Sequence, residues 1–349
     1  MRLNAFRDVI GHQRVLDLLV DEVPAPAGAY LFVGAASVGK ATVARRFAAA
    51  LLCPQGGIHS EACATCRRAV DGSHPDLVVV EPRGRQTLGV EDARNVVSQA
   101  VLSPVEASRK VFLFEEAGTM TDQAANALLK TLEEPTGSTV FVLVAESEDD
   151  LPSTVASRCR TVHFGRVDEA SLVEALVSLG LDRRHAENIG RIAGGRPGLA
   201  LALTHSAEAA RFRDAWLSVP TRLSPAPGEA FMLAEEMLAE LDPLLEDVEA
   251  DNEDRVTREQ RERSRRRARQ TLLAGGLEIL ASWYVDAAAL QLAGVVRNRD
   301  VPFEELAAVS PDRAVRNAQL VLDAMSGLGL NLRPRLLLAE LFAELASED

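Results

Sequence analysis

Gly34-Ala35-Ala36-Ser37-Val38-Gly39-Lys40-Ala41-Thr42 is the stretch on which the fold of this 349-residue chain turns. It follows the apolar run Ala29-Tyr30-Leu31-Phe32-Val33 and opens Val43-Ala44-Arg45-Arg46-Phe47-Ala48-Ala49-Ala50-Leu51-Leu52, so the pattern reads strand, loop, helix. Glycines let such a loop curl with its N–H groups inward, the helix N-terminus adds partial positive charge, and Lys40 supplies a point charge for the outer phosphates. Gly34, Gly39, Lys40, Ala41 and Thr42 are therefore the candidate phosphate-binding residues. One position departs from the pattern. The residue after the lysine ordinarily carries a hydroxyl that holds magnesium; here it is Ala41, with Thr42 one place late.

Working outward, strands and helices alternate. Leu77 to Glu81 reads as a buried strand, Val90 to Val101 as an amphipathic helix and Lys110 to Glu116 as a strand. Thr121 to Glu134 reads as a helix closed by Pro135, and Thr139 to Ala145 as a strand. Four apolar strands separated by helices predict a parallel sheet covered on both faces. Ligands of such sheets bind beyond the strand C-termini, where the loop, Glu115-Glu116 and Ser147 would gather. Upstream, Phe6-Arg7-Asp8-Val9-Ile10-Gly11-His12 and a helix from Gln13 to Val20 lead in. From about residue 166 the pattern turns all-helical: a small block at 166–210, then a second one at 211–349 that contains a proline-rich joint at Pro220 to Pro227.

Composition narrows the classes. Apolar residues make up 47% and aromatics only 4%, with a mean hydropathy near zero, as in a helix-rich soluble protein. A net charge of -13 argues against whole-surface attraction to nucleic acid. Arg255 to Arg269 holds eight arginines interleaved with acids; the expected state is a solvated helix with i,i+4 pairs, the alternative a nucleic-acid patch. No run of about 20 apolar residues stands out, and Met1 to Asp8 has no signal-peptide apolar segment, so a cytoplasmic location is expected. The four cysteines are then thiols or metal ligands. Cys63-Ala64-Thr65-Cys66 has the two-residue gap that puts both sulfurs on one tetrahedral metal, with Cys53 as a third ligand.

Two longer motifs are recognisable. Strand Val111 to Phe114 ends in Glu115-Glu116, where nucleotide hydrolases carry an acidic pair, usually Asp-Glu, for magnesium and water. Ala127-Leu128-Leu129-Lys130-Thr131-Leu132-Glu133-Glu134-Pro135, followed after a strand by Ser157-Arg158-Cys159, resembles the clamp-loader branch of the AAA+ ATPases. Gly72-Ser73-His74-Pro75-Asp76, Leu88 to Arg94 and the eroded Gly39-Lys40-Ala41-Thr42 are similar to the delta-prime subunits of bacterial DNA polymerase III rather than to its tau/gamma motors. The resemblance covers residues 1 to about 205; beyond that, the helical block matches only in the position of the family's collar domain.

The resemblance implies an AAA+ α/β domain at 1–165 with a cysteine loop at 53–69, a helical lid domain at 166–210 and a helical oligomerisation collar at 211–349. It implies a stator that assembles with delta and tau/gamma and helps to load the ring-shaped sliding clamp onto primed DNA. Arg158 would then be an arginine finger projected into the ATP site of the neighbouring motor subunit, since its planar, permanently charged fork suits transition-state phosphate oxygens. The chain's own ATP site (Gly34, Gly39, Lys40, Ala41, Thr42, Glu115 and Glu116) would be degenerate, with Gly198 where motors carry a lid arginine and Arg196 two residues early. Little or no ATPase activity is expected from the chain alone. Phe6, Val9, Ile10 and Gly11 resemble the segment that lines the adenine pocket in related subunits. The family's zinc module has four cysteines, but the fourth place is Ala69, leaving Cys53, Cys63 and Cys66 with His59 or His74, or an incomplete site. The alternative reading is an ATP-hydrolysing, tau/gamma-like motor subunit, and a third is a zinc-stabilised adaptor outside replication. No second carboxylate cluster for nucleotidyl transfer is visible, so any polymerase label would come from membership of the holoenzyme.

Overall fold

The β-period of the apolar runs sorts their side chains onto two faces. In strand β1 (Ala29–Val33) Tyr30 and Phe32 point one way and Ala29, Leu31 and Val33 the other, and all five are buried. The computed structural model describes residues 4–59, 63–82, 87–135, 137–204, 208–226, 228–245, 258–298, 300–328 and 333–347. Within it, β1, β2 (Leu77–Val79), β3 (Lys110–Phe114), β4 (Thr139–Ala145) and β5 (Arg160–His163) form one parallel sheet in the order β2-β3-β4-β1-β5. On one face lie helices α1 (Gln13–Glu22), α2 (Lys40–Leu52) and α3 (Ala64–Val70), packing Leu16, Leu19, Phe47 and Ala48 against Tyr30, Phe32, Val111 and Val142. On the other, α4 (Val90–Ala100) and α5 (Asp122–Glu133) set Val96, Leu128 and Leu132 against Leu31, Phe112 and Phe141. The result is a three-layered α/β domain with β1 inside the sheet, flanked by strands that follow it in sequence. Such a reversal of strand order opens a crevice at the C-terminal end of β1.

The expected parallel sheet is present, with two differences. It has a fifth strand: Arg160-Thr161-Val162-His163 buries only Val162, so this edge strand lacks a continuous apolar run. The predicted strand and helix ends also shorten, β2 stopping at Val79 and β3 at Phe114, which frees Glu81 and Glu115 to lie in the loops beyond.

The chain divides into two units, Met1–Ala175 with Gly195–Gly198, and Leu176–Gly194 with Leu199–Asp349. The second is all-helical. Its 34-residue helix Arg258–Gln291 packs against Pro311–Gly327, and Glu229–Ala239 against Pro334–Ala346. Trp216, fully buried, lies on Gly276, and buried Arg213 pairs with Asp300 and donates to Asn298 Oδ1 at 3.0 Å. Ala268–Gln291 is long and apolar enough to cross a membrane by length and composition, a stretch not singled out above because Arg269, Glu278 and Asp286 interrupt it. Its 72% burial inside the protein is that of a core helix. Of the arginine run, Arg255 lies outside the described residues, whereas Arg258 to Arg269 are helical.

Candidate functional site

The phosphate-type loop joins β1 to α2. Gly34 takes φ 151° and a Cβ there would sit 2.2 Å from the carbonyl oxygen of Phe164, so no other residue fits. Gly39, at φ 102°, caps α2, and Lys40 is its first residue. The Lys40 ammonium turns back on its own loop, donating to the carbonyls of Gly34 at 2.5 Å and Ala35 at 2.7 Å. Burial pushes its pKa down, against the opposing pull of Glu146 and Asp150. The Gly34 N–H, one donor of the cradle, is held by the Glu146 carbonyl at 3.1 Å.

The positions expected to handle magnesium carry Ala41 and a paired Glu115. Ala41 has no hydroxyl, and Thr42, the next residue, is exposed, because one step along a helix turns the side chain by about 100°. Glu115, just past β3, is held by both arms of the Arg45 guanidinium: Nε donates to Oε1, and Nη2 donates to Oε2 at 2.9 Å. The Glu115 side chain is 15% exposed and that of Arg45 37%, so this is a partly buried, two-pronged pair. That hydrogen bond and, after the cost of burial, the charges of Glu115 and Glu81 hold the Arg45 pKa above its ordinary value. Glutamate is one methylene longer than the usual aspartate, and Arg45 stands one helical turn beyond Ala41 on α2, so the two meet. Glu116 opens the turn Ala117–Thr119, its carbonyl accepting from Thr119 Oγ1 at 2.7 Å.

Two further groups meet the loop. His12, which carries no spacing signal in the sequence, has φ 56°, lies 2.7 Å from the Val38 carbonyl through Nε2 and makes an edge-on contact with Phe164. The signal that could have exposed it is Gly11-His12 ahead of an amphipathic run, both at positive φ. Gly198 donates its N–H to the Ser37 carbonyl at 2.9 Å, and a Cβ on it would stand 3.0 Å from that oxygen. A side chain at this exposed position would press on the Ser37 carbonyl, which would have to give by a few tenths of an ångström, while Arg196 is buried. Phe6 and Val9 are buried in the core beside α2, with Ile10 and Gly11 partly exposed.

Arg158 lies on the turn after α6 (Ser153–Ala156), its N–H bonded to the Val155 carbonyl. Its Nε donates to Glu133 Oε1 at 2.7 Å, Nη2 donates to the same oxygen, and Nη1 donates to the Thr154 carbonyl at 2.6 Å. Cys159 is a packed thiol whose pKa burial pushes up to about 12.

The cysteine loop converges. Cys53 Sγ, His59 Nε2, Cys63 Sγ and Cys66 Sγ all lie within 4.8 Å of one another, with Cys53 and Cys63 3.8 Å apart and His59 3.1 Å from Cys66. A tetrahedron with Zn–S bonds of about 2.3 Å has edges of about 3.8 Å, so this donor set fits and could hold a metal ion. Burial raises the Cys66 thiol. It disfavours the Cys63 thiolate as well, but the Cys66 N–H and neighbouring thiols outweigh it and bring Cys63 below its ordinary value. Of the two histidines considered, His59 is the one in the cluster. His74 is elsewhere, its Nδ1 accepting from the Asp76 N–H at 3.1 Å.

Residues 14–168 match the family described as DNA polymerase III, delta subunit. The chain is 35% identical over 169 residues to the DNA polymerase III subunit delta' of Bacillus subtilis (strain 168), across 47% of this chain and 50% of that protein. It is 40% identical over 136 residues to the delta' subunit of Pseudomonas aeruginosa, across 38% and 42%. To the subunit tau/gamma of Haemophilus influenzae it is 32% identical over 182 residues, across 51% and 26%. The chain thus spans half or less of the length of these curated relatives, which include both delta' and tau/gamma subunits.

Proposed function

We propose, from the premise that this chain belongs through residues 14–168 to the DNA polymerase III clamp-loader family, that it is a delta-prime-like stator of the bacterial clamp loader. In this reading it assembles in the cytoplasm with delta and tau/gamma, with residues 166–210 as lid and 211–349 as collar. Through that complex it acts on the sliding clamp and primed DNA. It contributes no polymerase chemistry and supplies Arg158 to the ATP site of a neighbouring motor subunit.

One observation carries the reading: the contrast between two arginine–glutamate pairs. At the chain's own site Arg45 closes over Glu115 beside a hydroxyl-less Ala41, and Lys40 is turned onto its own loop. Arg158, by contrast, stands at a surface turn, where the described residues engage three of its five N–H donors. The pattern suits a protein that lends a cation and does little hydrolysis itself. The motor alternative draws on the retained Lys40, Gly34 and Gly39, which favour nucleotide held without rapid turnover. The cysteine cluster we assign to a structural zinc bound by Cys53, His59, Cys63 and Cys66; among the described residues no carboxylate joins these four donors.

Steady-state ATP turnover tests the reading. The chain alone should be silent. Added to partner motor subunits with clamp and primed DNA it should raise turnover, and Arg158→Ala should remove about 10³-fold or more at the site it serves. Hydrolysis by the chain alone, lost in Lys40→Ala, would make it a motor instead.

A further inference from the structure

The arginine–glutamate contact at the surface turn has a direction. Nε and Nη2 of Arg158 converge on a single oxygen of Glu133, so the carboxylate occupies the side edge of the planar fork. Nη1 donates to the Thr154 carbonyl, and among the described residues two of the five N–H groups remain, one on each terminal nitrogen. Both ends of the contact are anchored. Glu133 is the last residue of α5, whose Leu128 and Leu132 are buried. Arg158 follows Val155, which is fully buried, and precedes the packed thiol of Cys159. The Arg158 side chain is half-buried at 29% exposure and that of Glu133 is exposed at 47%, and pairs this accessible contribute little stability. What such a pair contributes is orientation.

Resting on the reading of Arg158 as a finger acting in trans, we infer that Glu133 is its positioning residue. It grips the side edge of the guanidinium and thereby aims the terminal edge at the phosphoryl oxygens of a nucleotide held by a neighbouring subunit. Preorganising the fork this way removes the orientational cost at the moment of reaction.

The test uses the reconstituted assembly of partner ATP-hydrolysing subunits, clamp and primed DNA, with this chain as wild type, Arg158→Ala, Glu133→Ala, Glu133→Gln or the double variant. Glu133→Ala should lower kcat by about tenfold to a hundredfold with KM for ATP little changed and with melting and assembly as in wild type. Glu133→Gln, whose amide oxygen can accept from the same edge, should recover most of the rate. The double variant should be no slower than Arg158→Ala alone. If Glu133→Ala turns over as fast as wild type or faster, or if its loss adds to that of Arg158→Ala, the inference is overturned. Should Glu133→Ala fail to assemble, Glu133→Leu, which keeps the volume, takes its place with the same outcomes. An Arg158→Ala complex at the wild-type rate would instead bring down the stator reading itself, which separates the two failures.

Discussion

Glycines at contacts record where this chain has no space. Gly276 lies inside a long helix, where alanine would be favoured by roughly 1 kcal/mol on propensity alone. A Cβ at that position would stand 2.1 Å from Cε2 of Trp216, a fully buried ring. We therefore expect Gly276→Ala to destabilise by about 1–3 kcal/mol despite the better helix former. Its denaturant midpoint should fall, and an unchanged midpoint would mean that Trp216 moves aside freely. Gly198 makes a milder contact, its N–H on the Ser37 carbonyl and a Cβ there 3.0 Å from that oxygen. The sequence shows a glycine where the resemblance leads one to expect an arginine, but its contact with the loop needed Ser37 and the start of Pro197–Leu203 in one frame. For the same reason the Arg45–Glu115 pair was out of reach, its partners being 70 residues apart with nothing local to join them.

Single carboxylates and thiols also organise whole elements. Asp76, fully buried just before β2, accepts the N–H groups of Val105, Glu106 and Ala107 at 2.5, 2.8 and 2.8 Å and so ties the loop before β3 to the sheet. Burial alone would raise its pKa, but these three donors outweigh it and hold the carboxyl below its ordinary value. A group depressed in the folded state stabilises fully above its unfolded pKa of about 3.9, and that contribution disappears as pH falls through the lower folded value. Asp76→Ala should thus cost about 2–4 kcal/mol near pH 7, since three buried donors lose their acceptor, and the cost should shrink below about pH 4. Unfolding curves at both pH values check this; a cost independent of pH would assign the effect to packing. The metal cluster is organised in the same way, by α3 and the loop before it. The purified chain should carry about one zinc, and His59→Ala should weaken retention against a chelator by about ten- to a hundredfold. Equal retention by the variant would leave a three-cysteine site. Strongly periodic elements such as β1, β4 and α5 were legible because each buries an unbroken face. β5 was not, because an edge strand with exposed Arg160 and His163 has no such face, and His59, His74 or an incomplete site stayed open beside the three cysteines because the convergence of side chains is a tertiary fact.

At the scale of the molecule, charge decides how DNA can be met. A chain of net charge -13 repels a polyanion on average, so it needs a local cationic surface or a partner's surface to bind one. The candidate for the first is the arginine-rich start of the helix Arg258–Gln291. There Glu262, Arg265 and Arg266 are exposed and none of them is free of interactions; a solvated helix with i,i+4 pairs is the expected state. The chain alone should therefore retain no primed duplex at about 0.15 M salt, where charges beyond about 8 Å are screened. The reconstituted assembly should retain it without sequence preference, its affinity falling linearly with salt on logarithmic axes. Replacing Arg265 and Arg266 by serine should leave that slope unchanged. A slope reduced by one or two units would mean that these arginines meet phosphates directly, and that the run at the head of this helix is a DNA-binding surface.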